Sequence, residues 1–155
     1  MIRKLRILPL LGLAACGPSD VQLADLGITV TTPSGWAVEM SRGNSIGAGS
    51  AELKKGKKTF GFIGDNVLMP LGAHDDAWPK ESPHTLAQLQ TALAPFEPTD
   101  PEEFPNGFGV QYTKNGKPKF LYVVAVGDKE YDCVANDWID KADVEAAISI
   151  CKSIR

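Results

Sequence analysis

Apolar and polar residues alternate along the first half of the chain in a pattern that predicts β-strands. The alternation runs from Ile28 to Thr32, breaks at the turn residues Pro33 to Gly35, and resumes from Trp36 to Met40. Because successive side chains of a strand point to opposite faces, each run has one apolar face to bury. Two further apolar runs lie on either side of Gly56, and a glycine between strand-like runs is typical of a hairpin turn.

Two later segments have apolar residues at the spacing of an amphipathic helix. The first can be capped by Ser82 or by Thr85, which makes a capping box with Gln88, and it ends at Pro95. The second begins at Asp140 and places one cysteine on its apolar face. That apolar face comprises Val144, Ala147, Ile148, Cys151 and Ile154.

Between the two helices the pattern predicts an exposed connection and then a three-stranded meander. Residues Glu97 to Pro105 carry four acids and three prolines, which favours an exposed connection. Strands follow at Phe108 to Tyr112, at Phe120 to Val126 and at Tyr131 to Ala135, with a strong turn signal at Asn115-Gly116. The order of strands, helix, meander and terminal helix predicts an α+β domain with an antiparallel sheet and both helices packed on it.

The first fifteen residues have the composition of an export signal. Three basic residues precede the apolar run Ile7 to Leu13, which is far shorter than the ~20 residues of a spanning helix. The leader ends in Leu13-Ala14-Ala15-Cys16, which resembles the lipobox of bacterial lipoproteins. The resemblance implies removal of residues 1–15 as a signal peptide, a diacylglyceryl group on the sulfur of Cys16, and acylation of the new amine.

A lipoprotein of this kind is held in the membrane by its fatty acyl chains, such as palmitate. Two or more chains give stable anchoring, whereas one gives only marginal binding. Gly17 follows the cysteine, and the resemblance then implies the outer membrane, with the protein facing the periplasm. The alternatives are an ordinary signal peptide that leaves a free thiol, and a chance apolar N-terminus on a cytosolic protein.

This interpretation divides the chain into a signal peptide at 1–15, the lipidated cysteine with a short tether at 16–26, and a single domain at 27–155. The strand, turn and strand from Ile28 to Val38, with the closing helix, also resemble PsbP-like domains. That resemblance implies a fold and no functional residue. A cystatin-like sheet wrapped around one helix is the alternative shape.

Charge and cysteine content narrow the classes of function. Removing the 15 leader residues leaves 140, with 13 basic against 19 acidic residues, so the formal charge of the mature chain is −6. A net acidic domain argues against nucleic acid as the main partner, because phosphate neutralisation dominates that affinity.

Apart from Cys16, the chain has Cys133 and Cys151, and an even pair in an oxidising compartment predicts a disulfide. Two reduced, buried thiols are the alternative.

Lysines gather at both predicted hairpin turns of this acidic chain. The first turn carries Lys54, Lys55, Lys57 and Lys58, and the second carries Lys114, Lys117 and Lys119. One interpretation is that they keep strands and turns soluble, and the other is contact with membrane phosphates or a partner. Trp78, in a polar loop, is a further candidate contact.

No motif identifies a reaction or a cofactor. The pentapeptide Gly43 to Gly47 matches the nucleophile elbow of serine hydrolases around Ser45, but a glycine-rich segment follows instead of a helix. A weak set of metal-ligand types comprises His74, Asp75, Asp76 and His84. We therefore expect a non-enzymatic envelope lipoprotein with a protein partner in the envelope. The alternatives are a small hydrolase or metal-dependent enzyme, and an enzyme inhibitor that presents the loop Gly64 to Ser82.

Overall fold

The computed structural model describes residues 17–41, 49–65, 83–136 and 139–155, and these form an α+β domain. Its elements are β1 Ser19–Leu23, β2 Ile28–Thr32, β3 Trp36–Met40, β4 Ser50–Lys55, β5 Lys58–Gly64, α1 Leu86–Ala92, β6 Thr99–Phe104, β7 Gly107–Lys114, β8 Lys117–Val126, β9 Lys129–Ala135 and α2 Lys141–Lys152. A short 3-10 turn at Ala94–Phe96 follows α1. Within these ranges, no helix combines the length and the apolar character needed to cross a bilayer.

Seven strands form one antiparallel sheet in the order β3-β4-β5-β9-β8-β7-β6. The meander predicted from the sequence is the β7-β8-β9 part of this sheet. The hairpin of β1 and β2 forms a separate pair. Because β8 lies near the middle of the sheet, its residues Phe120 to Val124 are buried on both faces, as the apolar run predicts, whereas Ala125 at the end of that run is exposed.

The two helices cover opposite faces of the sheet. Phe120, Tyr122 and Val124 of β8 pack in a large core with α2 and the β1-β2 hairpin. The alternate residues Leu121 and Val123 pack in a smaller core with α1. The predicted α+β fold with a mid-chain and a C-terminal helix is therefore confirmed. Since the helices lie on opposite faces, the sheet does not wrap around a single helix.

Local signals in the sequence determine several turns and helix ends. Thr85 and Gln88 form the predicted capping box at the start of α1. Asn115 and Gly116 have φ values of 54° and 72°, the left-handed conformation that a tight hairpin turn requires. Asp140 does occupy the N-cap position of α2, but its side chain makes no capping hydrogen bond.

The segment Glu97–Pro105 is mostly exposed, as predicted, but it contains a strand, so the prediction of a simple connection is wrong. Its residues 99–104 form β6, which pairs with β7 at one edge of the sheet. Pro101 lies between the paired residues Thr99 and Glu102 of this edge strand. Proline has no N–H to donate, and it is tolerated in edge strands and at bulges because no sheet hydrogen bond is lost there. The register shifts between Thr99 and Glu102, and Asp100 has a φ of 48°, so the strand is bulged as well as acidic. Such features protect an edge from pairing with other chains.

The predicted tether through residue 26 is also wrong from Ser19 onward. Residues 19–23 form β1, which pairs with β2 along its whole length. Leu23 and Leu26 are buried in the larger core. The domain therefore begins at Ser19, and only Gly17 and Pro18 separate it from Cys16.

The predicted disulfide is present and links the end of α2 to the sheet. Cys133 of β9 and Cys151 of α2 are both fully buried, and their Cα atoms lie 5.7 Å apart. Cys151 lies on the apolar face of α2, so the helical spacing of that face directs it towards the strand that carries Cys133.

Candidate functional site

The two lysine-bearing turns, 50 residues or more apart in sequence, lie at the same end of the sheet. Strands β5 and β8 are both antiparallel to β9, which lies between them, so they run in the same direction. Lys58 begins β5 and Lys117 begins β8. The chain also leaves β9 at this end and enters α2 at Lys141. We call this region the lysine-rich end; it comprises Lys55, Lys57, Lys58, Lys114, Lys117, Lys119 and Lys141.

An open cleft of about 700 Å³ lies between these turns and the start of α2. Its lining includes Lys58, Thr59, Lys117, Asn136, Asp140 and Lys141. A second hollow of about 550 Å³ adjoins it between the β7-β8 turn and the first turns of α2, and Lys141 lines both. Three amines from three separate elements thus converge on one polar cleft.

The polar groups of the cleft wall are already used in hydrogen bonds. The amide nitrogen of the Asn136 side chain donates to the carbonyl of Thr59, and the Asn136 backbone N–H donates to the carbonyl of Phe60 at 3.0 Å. The Thr59 hydroxyl donates to a carboxylate oxygen of Glu52 at 2.8 Å. These contacts hold Thr59 and Asn136 in the wall, and the amines of Lys58 and Lys141 are candidates to reach a ligand.

The lysines of the first turn fall into two groups. Lys54 pairs with Glu39 at 2.8 Å, and Lys55 pairs with Asp143 of α2 at 2.6 Å. Lys57 and Lys58 are exposed, as is Lys141, and no acid within the described ranges pairs with any of the three. Two of the four predicted contact lysines therefore serve the fold, while the other two remain candidates for binding.

Aromatic rings lie beside the lysine-rich end, although none is interleaved with the lysines in sequence. The amine of Lys55 lies 6.0 Å from the ring centre of Trp36, and that of Lys114 lies 5.3 Å from the ring centre of Phe96. Both rings are partly exposed. Each distance is within the range of a cation–π contact. The sequence does not reveal this arrangement, because strand pairing and the turn after α1 create it.

Acidic groups moderate the positive charge of this end. Asp140 lines the cleft, and Glu145 lines the adjoining hollow. Asp143 is neutralised by Lys55, as described above. The lysines of this end outnumber these three carboxylates and that of Glu52, even without the buried Lys119, whereas the chain as a whole is acidic.

His84, a weak metal candidate in the sequence, is held by a carboxylate of β9. Its ring Nδ1 lies 2.5 Å from one oxygen of Glu130, and its backbone N–H donates to the other at 3.0 Å. Both side chains are largely buried. This double contact holds the start of α1 against the β8-β9 hairpin. A carboxylate on one ring nitrogen is also how catalytic and metal-binding histidines are oriented.

The remaining candidates named from the sequence lie outside the described residues. They are Cys16, Ser45, His74, Asp75, Asp76 and Trp78. In the part of the chain that the structure describes, no group of three or more histidine, cysteine or acidic side chains is arranged to hold a metal ion.

Comparison with known proteins adds no relative. No family model matches this chain, and the searches of curated proteins and of solved structures also return no match. The lysine-lined cleft and the His84–Glu130 pair are therefore described from this chain's own residues.

Proposed function

We propose that this chain is the precursor of a bacterial envelope lipoprotein, anchored through Cys16, whose domain is a non-enzymatic binding module. The anchor follows from the leader and from the resemblance of residues 13–16 to a lipobox. With Gly17 after the cysteine, the proposed site is the outer membrane on the periplasmic side. The proposed partner is a negatively charged component of the envelope.

The observation that carries the proposal is the convergence of Lys58, Lys117 and Lys141 on one cleft. An acidic domain that gathers lysines at one end presents a polarised surface, which attracts and orients negatively charged partners. The open shape of the cleft and its three lysines suit a ligand held by charge more than a buried apolar molecule.

The anchor is tested by feeding labelled palmitate to cells that produce the wild-type chain or the Cys16→Ser variant. The wild type should incorporate the label and the variant should not. An inhibitor of the lipoprotein signal peptidase should also shift the wild type to the mobility of the precursor. Unlabelled wild-type protein, or processing that the inhibitor leaves unchanged, would contradict the anchor.

The binding surface is tested by measuring how fast each lysine is acylated in isolated envelopes and in detergent-purified protein. Lys58 and Lys141 should react more slowly in envelopes, because a bound partner covers them. Lys129 is the matched control, since it is also exposed, begins a strand, and lies at the opposite end of β8 and β9. Equal rates for Lys58 and Lys141 in the two preparations would contradict this surface.

The second candidate function, a small hydrolase or metal-dependent enzyme, has one supporting observation, the oriented ring of His84. The two functions differ in what His84→Ala and Ser45→Ala should do. Under the binding proposal, Lys58 and Lys141 should still be acylated more slowly in envelopes in both variants, provided that the variants fold. Loss of a cellular phenotype in both variants, with that protection intact, would favour the enzyme.

A further inference from the structure

We propose that the component bound at the lysine-rich end is the phosphate headgroup of anionic phospholipid, so that this end of the domain lies against the bilayer. The proposal rests on the proposed function, because it takes the Cys16 anchor as the reason that the domain remains at a membrane. It adds a second contact, made by the folded surface itself.

The first argument is the type of side chain that this end presents. Lys57 and Lys58 extend from the β4-β5 turn and Lys141 from the start of α2, and none of the three has an acidic partner within the described segments. Lysine amines are compact charges that suit phosphate groups. Each lysine near an anionic membrane surface contributes about fivefold to affinity.

The second argument is the pair of partly exposed aromatic rings at the border of the lysine-rich end. Trp36 lies at the start of β3 beside Lys55, and Phe96 lies beside Lys114. Trp36 has an amphipathic ring of the kind that, together with lysines, is typical of surfaces at the headgroup level of a bilayer, and Phe96 adds an apolar ring. Aromatic residues are also enriched at protein interfaces, so the choice of lipid depends on the distance from the anchor.

The third argument is the distance from the anchor. Only Gly17 and Pro18 lie between Cys16 and Ser19, and the three residue steps limit the span from Cys16 to Ser19 to about 10 Å. Ser19 pairs with Thr32, and Thr32 is four residues from Trp36, so at most about 14 Å of chain separates that point from the lysine-rich end. The anchor and the lysines can thus reach the same bilayer. The lysines must come close to the bilayer to be attracted, since charges farther apart than the Debye length of about 8 Å at physiological salt are largely screened.

The main test uses the mature lipidated protein in nanodiscs of phosphatidylcholine, or of phosphatidylcholine mixed with phosphatidylglycerol. The acylation rate of each lysine is read by mass spectrometry. We expect Lys57, Lys58 and Lys141 to react several-fold more slowly in the anionic discs, and added salt to restore their rates. Lys129, exposed at the other end, should react equally in both lipids.

Three outcomes would overturn the proposal. One is equal rates for the three lysines in the two lipids. Another is slowing of Lys129 to the same degree, which would mean unoriented attraction. The third is slowing that appears only after envelope proteins are added, which would identify a protein as the occupant.

A second test separates this proposal from the anchor. The chain from Gly17 onward contains every described element and the disulfide, and its sedimentation with phosphatidylglycerol vesicles needs no lipid modification. Lys58→Glu should weaken sedimentation by about fivefold or more, and Lys129→Glu should leave it unchanged. If palmitate labelling fails but the sedimentation result is as expected, only the proposed anchor is contradicted, and the lipid contact stands. Saturable binding of inorganic phosphate without vesicle binding overturns the lipid assignment.

Discussion

The two faces of the sheet are held together by different means. On one face, α2 and the β1-β2 hairpin bury 22 of the described residues in a continuous core, and a disulfide joins that core to β9. On the other, α1 covers a core of seven described residues and is held at its start by the His84–Glu130 contact. A short helix over a small core gains less from packing, so we expect it to open more readily than α2.

This difference bears on function because the lysine-rich end depends on the α2 face. Lys141 begins α2, and Lys55 ties the β4-β5 turn to that helix through Asp143. Loosening α2 should therefore disperse the lysines, whereas loosening α1 should leave the cleft in place.

The largest expected effect comes from removing the disulfide. For two cysteines 18 residues apart, loop entropy gives about 3 kcal/mol, and truncation of two buried sulfurs adds to it. Cys133→Ala combined with Cys151→Ala should therefore lower the free energy of unfolding by about 3 to 5 kcal/mol, measured by urea denaturation. The wild type in reductant is the control without truncation. A urea midpoint that reductant leaves unchanged would show that the bond does not stabilise the fold.

The next largest effect is expected from replacing one buried residue in each helix. Ile150 of α2 and Leu89 of α1 are both fully buried, so alanine removes similar packing from each core. Ile150→Ala should lower the free energy of global unfolding by about 2 to 5 kcal/mol. Leu89→Ala should cost less globally, because α1 can open alone, and hydrogen exchange should quicken at α1 while α2 stays protected. If Ile150→Ala and Leu89→Ala lowered the free energy of unfolding equally and gave the same pattern of hydrogen exchange, the two faces would not differ in stability.

The smallest effect concerns a surface ion pair on the α2 face. Glu102 accepts hydrogen bonds from Tyr122 and from Lys152, the latter at 2.6 Å. Burial acts to raise the pKa of Glu102, but the hydrogen bonds from Lys152 and Tyr122 outweigh it, so this pKa lies below its ordinary value of 4.5. Burial also raises the pKa of Tyr122.

Because the pKa of Glu102 is lower in the folded state, its contribution to stability is present above pH 4.5 and is lost as the pH falls through the folded value. Glu102→Gln should lower the free energy of unfolding at neutral pH by less than about 1 kcal/mol, and should flatten its decline below that point. Urea midpoints at a series of pH values measure both effects. Parallel pH curves for the two proteins would show that Glu102 is not responsible.

Much of the secondary structure could be predicted because its signals are local. The capping box at Thr85, the turn at Asn115-Gly116 and the apolar face of α2 each depend on residues within a few positions of one another. Strand β6 was not predicted, because prolines and acids indicate an exposed loop unless a neighbouring strand provides an edge. Strand β1 was not predicted either, although Val21 and Leu23 do alternate with polar residues.

The sequence by itself predicted the leader and its lipobox-like cysteine, and it determined the fold class, the pairing of Cys133 with Cys151 and the presence of lysines at two turns. Only the tertiary structure decided that these turns lie together, that Lys54 and Lys55 are used in ion pairs, and that Trp36 and Phe96 border the same end. The physical reason is that strand order is a long-range property. A local pattern shows that a strand has a buried face, but the pairing of β5 and β8 with β9 determines which turns become neighbours.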